Sequence, residues 1–515
     1  MNDNGFPAER GPDNKKRKVP LYWVWVASLA VLSAVFAFAS APGVIAQVRD
    51  GGTAATTQAE NLQRNRRYAT ILQQVFDFIQ RNYIEEVDSR VIFEGAMTGI
   101  FEALGDPYSA FLPESEMRGL NDTTQGTFGG VGLFISQPTR RADRPPYVEV
   151  ASPIEGTPGW RAGINPGDLI ISINGESTDR LSMEEVLDRL RGVPGTDVNL
   201  MIRRGERLEF PVTLTRAIIE VPTTRHAMIG DIGYLRLLSF TPMTANRAAE
   251  AISYFAANNY QGMILDLRNN AGGLLNGAID VASLFLDGGV VVRTSSRIPT
   301  ENHVFMTRRP AVVSPDIPII VLINRGSASA SEIVAGALKD RGRALLVGET
   351  TFGKGSVQQV YPLGNAGFRL TTARYVTPSH AVIDGIGIPP DRVVRLPDFT
   401  DADAEQLNRL INDNLIPDFV RGNPSATAAQ IDGFARSLET EYDLESSLIR
   451  RLIRNEQNRT AVAPAYDLEF DVQLIDAVNI LRSGEFHRLL GAAKTLQALQ
   501  EEHLRQREED LAAAL

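Results

Sequence analysis

The chain has 515 residues, 43% of them apolar and 22% charged, and a formal net charge of −10. That length exceeds a single hydrophobic core and implies several domains, and the acidic excess argues against nucleic acid, whose phosphates need a basic face. There is no cysteine, which removes thiol catalysis, thiolate metal sites, disulfides and lipid attachment through a thiol.

The N-terminus speaks to compartment. Lys15, Lys16, Arg17 and Lys18 form a basic block, and residues 21–46 carry no charge. About 20 apolar residues suffice to cross a bilayer, and positive charge ahead of the run keeps residues 1–20 in the cytoplasm and sends the rest outside. A buried core helix is the bland alternative, against which the basic flank and the terminal position both count. Val44-Ile45-Ala46 fits a cleavage site, whereas Trp23 and Trp25 suit a retained interfacial anchor. The balance leans to a retained single-pass segment, with export of a cleaved form as the alternative.

Residues 50–57 read as a flexible linker. Over 58–113 apolar residues recur at helical spacing (Ile71, Val75, Phe78, Ile79, then Ile92, Ile100, Leu104), which predicts two or three helices ended by Gly105-Asp106-Pro107. Residues 126–215 change texture. Short β-rich runs at 131–135, 147–150, 169–173, 198–202 and 208–214 surround one helix over 182–190, with Ser182 as N-cap and Glu185 completing a capping box. From 216 to 399 the pattern is strand, turn, helix: a strand at 263–267, a Gly272-Gly273 turn and a helix at 275–286, then a strand at 317–323, a turn at 326–329 and a helix at 331–340, then a strand at 344–347. Such alternation implies α/β layers. Residues 400–515 read as helical. The fold class expected is a multidomain α+β protein.

The small module carries a Gly-rich run, Gly129-Gly130-Val131-Gly132-Leu133-Phe134, then Ala162-Gly163-Ile164, Pro166-Gly167-Asp168 and Asn174-Gly175. Together these resemble a PDZ domain. The resemblance implies a groove between a strand and the 182–190 helix, where a peptide adds as an extra strand and its terminal carboxylate meets the amides of Gly130, Val131, Gly132, Leu133 and Phe134. A ligand-free Gly-rich hairpin is the plainer reading of the run taken alone. Arg191, ending the helix, is a candidate for coupling bound peptide to the neighbouring domain; its plainer reading is an arginine on the last helical carbonyls.

No HExxH, no GxxxxGK[ST] and no GxSxG elbow occurs, so a metal or phosphate site has no local support. A Ser-His-Asp centre through His303 or His380 stays open as a rival. What remains is Gly326-Ser327-Ala328-Ser329-Ala330-Ser331-Glu332-Ile333, between a buried strand and a helix. A serine at a helix N-terminus lies in a positive field beside free amides, yet Ser329 with Glu332 also fits a plain capping box. Further on, Lys354 sits between glycines in an apolar stretch. Desolvation there would populate the neutral amine, a base able to take a serine proton. A surface lysine on a turn is the plainer alternative.

DLRNNAGG (266–273), GSASASEI (326–333), GETTFGKGSVQ (348–358) and GDPYSAFL (105–112) resemble, in order, the carboxyl-terminal processing peptidases, or tail-specific proteases. The likeness spans roughly residues 65–400. It implies a PDZ module inserted ahead of a protease core of the Clp protease/crotonase-like type, with Ser329 as nucleophile, Lys354 as general base and Gln358 orienting the lysine. The amide of Ala330 and one from the Gly272-Gly273 turn would form the oxyanion hole. With Ser329 as the nucleophile, Ser327→Ala and Ser331→Ala are expected to retain most activity. It also implies protein substrates with apolar C-termini, no metal and no cofactor. Ala271 stands where proline is common and Tyr108 where histidine is common. A catalytically silent PDZ scaffold is the alternative function. An oligomer through the helical termini is a further expectation.

Overall fold

The computed structural model describes residues 51–136, 147–205, 207–395, 400–457, 465–502 and 504–505. The uncharged 21–46 run lies outside them, and no helix among the described residues is long and apolar enough to cross a membrane. The chain divides into two compact units, residues 1–92 and 93–515. In the first, the helix Gly51–Asn82 runs through the stretch expected to be a linker. No proline interrupts it, and helix propagation absorbs glycines that cost about 1 kcal/mol each. Leu72, Val75 and Phe78 are exposed on it.

In the second unit the helix Glu114–Gln125 was not foreseen, although Pro113 and two acidic first-turn residues mark its start. Next comes the small module. Five antiparallel strands follow the order Leu133–Ser136, Val148–Pro153, Leu169–Ile173, Asp197–Arg204, Leu208–Thr215. The helix Met183–Leu190 packs Val186 and Leu190 into their core and has the expected capping box at Ser182 and Glu185. Buried Asp168 of the Pro-Gly-Asp turn is held by Arg204 at 2.7 Å and accepts from the Asn165 amide. Thr127–Gly130 and Ala217–Glu220 pair with each other where the chain enters and leaves the module, so it is an insertion on a two-stranded stem.

The larger domain is built on a six-stranded sheet ordered Thr224–Ile229, Ile232–Leu237, Gly262–Asp266, Ile319–Ile323, Leu345–Gly348, Arg392–Val393. Only the first pair is antiparallel. Gly262–Asp266 and Ile319–Ile323 are buried at every position, as expected of parallel strands covered on both faces. One face packs on the helices Thr244–Ala257, Leu275–Ala282 and Ala330–Asp340. The other packs on Val472–Ser483 and Phe486–Ala492, late in the chain. Four helices between them (Asp401–Asn412, Leu415–Gly422, Ala428–Tyr442, Ser446–Gln457) close a separate core around Leu438, Tyr442 and Ile449. A second sheet centres on the hairpin Ser356–Leu363 and Ala366–Val376, with Ala110–Leu112 along its edge.

The consequence for function lies at the strand ends. Gly262–Asp266, Ile319–Ile323 and Leu345–Gly348 are adjacent and parallel. The three motifs at 266–273, 326–333 and 348–358 each follow the carboxyl end of one of them. Segments far apart in sequence therefore meet at one rim, where open α/β sheets place their ligands.

Candidate active site

Ser329 occupies the turn between the strand Ile319–Ile323 and the helix Ala330–Asp340 with φ 56° and ψ −113°. A non-glycine residue there is strained by about 1–3 kcal/mol and persists only if its surroundings enforce it. They do. The Ser327 hydroxyl donates to the Leu267 carbonyl (2.8 Å) and the Ser331 hydroxyl to the Asn270 carbonyl (2.8 Å). The Ala328 amide also donates to Asn270 O (3.0 Å). Ser327 and Ser331 are fully buried. They pin the turn to the 266–273 loop. Ser329 stands half-buried between them, and among the described residues its hydroxyl donates to no acceptor.

The plain capping-box reading holds: the Ser329 amide donates to the Glu332 carboxylate (2.8 Å), and the serine oxygen faces the Glu332 amide in return. Glu332 is fully buried and also accepts from Thr351 Oγ1 (2.5 Å) and from the amides of Gly353 (2.7 Å) and Lys354 (2.9 Å). Burial raises its pKa, and these four donors offset only part of that rise. One carboxylate thus joins the serine turn to the lysine loop, a role the sequence reading missed.

Lys354 is half-buried, and its Nζ lies 4.9 Å from the centre of the Tyr108 ring. Burial first, then the Arg369 guanidinium, hold its pKa below the ordinary lysine value against the opposing Glu332 charge. Arg369 Nε is itself buried without a hydrogen-bond partner. Among the described residues no hydrogen bond joins Lys354 Nζ to Ser329 or to Gln358. The Gln358 amide donates instead to Ser356 Oγ (2.8 Å) and Thr371 Oγ1 (3.3 Å), so the expected Gln358–Lys354 contact is not formed. Thr371 is bonded in turn to Asp106 and Ser109 of the 105–112 motif. That motif floors the lysine site.

Of the expected oxyanion amides, Gly272 differs from expectation, because its N–H donates to Asn270 Oδ1 (2.9 Å). The amides of Gly273 and Ala330 donate to no acceptor among the described residues. His303 packs against Phe305, and His380 lies in a turn at φ 70°; neither hydrogen-bonds Ser329. No group of three or more metal-ligating side chains gathers among the described residues.

In the module, Leu133–Ser136 is an edge strand, paired on one side only. The Gly-rich loop runs from Gly130 into it, and among the described residues the Val131 and Gly132 amides donate to no acceptor. Phe134 is exposed on the strand, while Val131 turns into the module core. A side chain at Gly129 would start 2.1 Å from the Gly192 carbonyl, so the stem and the helix end meet backbone to backbone. The helix-end carbonyls of Arg189 and Leu190 are taken by Arg216, which the sequence reading missed. Arg191 lays its guanidinium 5.0 Å over the Phe128 ring on the stem strand.

The fold and the site define a hydrolase-like α/β domain with a serine turn at the carboxyl rim of its sheet and an inserted antiparallel β module. Comparisons with known proteins agree. Peptidase family S41 matches residues 231–413, a PDZ domain matches 149–204, and the activating protease CtpB N-terminal domain matches 33–115. A carboxy-terminal-processing protease of Bartonella bacilliformis is 40% identical over 330 residues, 63% of this chain and 74% of that one. The carboxy-terminal processing protease CtpA of Bacillus subtilis is 30% identical over 75% of this chain and 79% of its own. Among solved structures, a photosystem II D1 C-terminal processing protease is 29% identical over 63% of this chain and 92% of its own, with a TM-score of 0.37. The chain belongs to the carboxy-terminal processing family of serine peptidases and carries a PDZ domain.

Proposed function

We propose that this protein is an endopeptidase that cuts exported or membrane-associated proteins near their C-termini, using Ser329 and Lys354. The supporting observation is a serine held in a strained turn with a hydroxyl that donates to no acceptor, next to two unbonded amides and tied through Glu332 to the lysine loop. In the reaction Ser329 Oγ attacks the scissile carbonyl carbon and its proton passes to the neutral Lys354 amine. The carbonyl oxygen gains charge facing the Ala330 and Gly273 amides. Lys354 then protonates the departing amine, and water releases the acyl group by the same steps. Lys354 rests over Tyr108 rather than on Ser329, so acylation requires its Nζ to swing across, and Gln358 to turn its carboxamide towards it. Substrate tails ending in an apolar residue would add to the edge strand Leu133–Ser136, their carboxylate on the Val131 and Gly132 amides. Arg191 on Phe128 would carry that occupancy to the stem. Residues 21–46 would anchor the chain in the cell membrane with the catalytic domain outside. The exposed apolar face of Gly51–Asn82 suits a second copy. No nucleic acid partner and no cofactor enter this reading.

The test compares hydrolysis of one peptide with a free apolar C-terminus and the same peptide amidated. The free acid is expected to be cut at least about tenfold faster, as befits a charge-assisted contact, and Arg191→Ala should narrow that ratio. Equal rates would leave the module a spacer. Comparing membrane-protein C-termini between cells carrying wild type and Ser329→Ala would then identify substrates. A catalytically silent scaffold would show no new C-termini at all.

The base assignment has its own signature. Lys354 must be neutral to act, so kcat/KM should rise with pH through its depressed pKa. Arg369→Met removes a charge that lowers that pKa. The pKa should therefore rise, and the ascending limb of the pH–rate profile should move to higher pH. An unmoved limb, or one moved to lower pH, would reject Lys354 as the titrating group.

A further inference from the structure

The S41 match ends at residue 413, yet the strongest polar contact to the 266–273 loop comes from beyond it. Arg268, in that loop, is 10% exposed at its side chain, and its partner Asp266 is fully buried. Asp266 takes the guanidinium through Nε (2.9 Å) and Nη2 (2.7 Å). Three guanidinium N–H groups would remain inside the protein without acceptors. Asp471 receives two of them, from Nη1 (2.7 Å) and Nη2 (2.6 Å), and Gln473 Oε1 receives the third (3.1 Å). All five donors are thereby used, in the two-pronged geometry that makes arginine–carboxylate pairs directional. Burial opposes the charge on Asp266, and Arg268 outweighs it, so the Asp266 pKa stays below the usual carboxylate value.

The far side of this clamp is itself rigid. Asp471 is the N-cap of the helix Val472–Ser483, accepting from the Leu474 amide (3.0 Å). Gln473 is fully buried and donates to the Val394 carbonyl (2.8 Å). On the near side, the residues following Arg268 touch the serine turn. Asn269, at φ 55°, exchanges hydrogen bonds with Asn324. The Asn270 carbonyl receives Ala328 and Ser331, and Gly273 carries one of the two unbonded amides. The loop is thus held between the serine turn on one side and the late helix on the other, with a strained asparagine between the two grips.

We propose that Asp471 is a positioning residue for peptide hydrolysis: by clamping Arg268 it sets the distance between the Gly273 amide and Ser329. The inference rests on the reading of Ser329 as nucleophile. It assigns a part in the active site to a segment of the chain that no matched family covers. Asp471 touches neither substrate nor Ser329, so its effect passes wholly through the loop.

Asp471→Asn in the full-length protein isolates the clamp, because asparagine caps a helix as well as aspartate does but offers Arg268 one neutral oxygen in place of a two-pronged carboxylate. We expect kcat to fall on the order of tenfold, the scale of one charge-assisted hydrogen bond, with KM within about twofold. A fluorophosphonate should label Ser329 more slowly by the same factor, since its attack also develops charge at the oxyanion amides. Asp471→Glu keeps the charge and is expected to fall between the two; it carries the test if the asparagine variant does not accumulate folded. A lower melting temperature with unchanged kcat and labelling rate would overturn the proposal and leave Asp471 a stabilising residue only. In that case Ser329→Ala, still inactive, would show that the nucleophile assignment stands. An active Ser329→Ala would bring down both.

Discussion

Replacing Ser329 by alanine is expected to lower kcat/KM by at least about 10⁴-fold and to leave the melting temperature nearly unchanged. The hydroxyl donates to no acceptor, and the Glu332 amide that it faces also donates to the Ser329 carbonyl (2.9 Å), so its loss orphans no partner. Lys354→Ala should cost as much, and the double variant no more than either, because groups that act on one proton act as a unit. Lys354→Arg should also be inactive, since a guanidinium does not deprotonate at working pH. Ser327→Ala and Ser331→Ala have a different expected phenotype. Each takes one of two donors from a carbonyl, Leu267 O keeping the Asn270 amide and Asn270 O the Ala328 amide, and Ser327→Ala also strips the Asn324 amide of its Ser327 Oγ acceptor. At about 0.5–1.5 kcal/mol per hydrogen bond lost, a lower melting temperature should accompany any loss of rate. Turnover by Lys354→Arg, or an inactive Ser327→Ala beside an active Ser329→Ala, would reject the assignment.

How much of this was legible in the sequence follows from how local each feature is. The strand, turn and helix around 263–286 and 319–340 were readable because buried strands and small-residue turns are contiguous signals. The PDZ-like module was readable for the same reason. Ser329 and Lys354 stood out within their own motifs. The surroundings of Lys354 did not. Tyr108 was seen only as a departure from a common histidine, and its place over the lysine depends on Ala110–Leu112 pairing with Ala366–Val376. Arg369 approaches Lys354 from that same strand pair, and nothing near it in sequence marks it. Glu332 reads locally as a cap, and the Ser329 amide bears that out, but its other three donors, from Thr351, Gly353 and Lys354, are brought to it only by the sheet order. Arg216 was not legible as a partner of the helix end, because the stem pairing of Thr127–Gly130 with Ala217–Glu220 is what brings it back there. The contact between Gln358 and Lys354 was inferred from family resemblance, and here the glutamine faces Ser356 and Thr371.

The close approach of the 266–273 loop to the serine turn yields the second large effect. Gly272 has φ 106°, a region that side-chain-bearing residues rarely enter. A Cβ there would lie 2.8 Å from the Ala328 carbonyl, 2.9 Å from the Ala330 amide and 2.9 Å from the Ser329 Cβ. Two of these neighbours are backbone, and none can turn aside as a long side chain would. Gly272→Ala must therefore part the loop from the serine turn, breaking the Ala328–Asn270 hydrogen bond or shifting the Ala330 amide. Losing one oxyanion donor costs about 10²–10³ in kcat, so a fall of at least about 10²-fold is expected, with slower fluorophosphonate labelling of Ser329. Gly422→Ala is the control. It ends the helix Leu415–Gly422, and a Cβ there meets nothing within 4 Å. It should keep wild-type turnover and stability. Should Gly272→Ala turn over like wild type, the loop would not be pressed against the nucleophile in solution, and the oxyanion role given to Ala330 and Gly273 would have to be withdrawn.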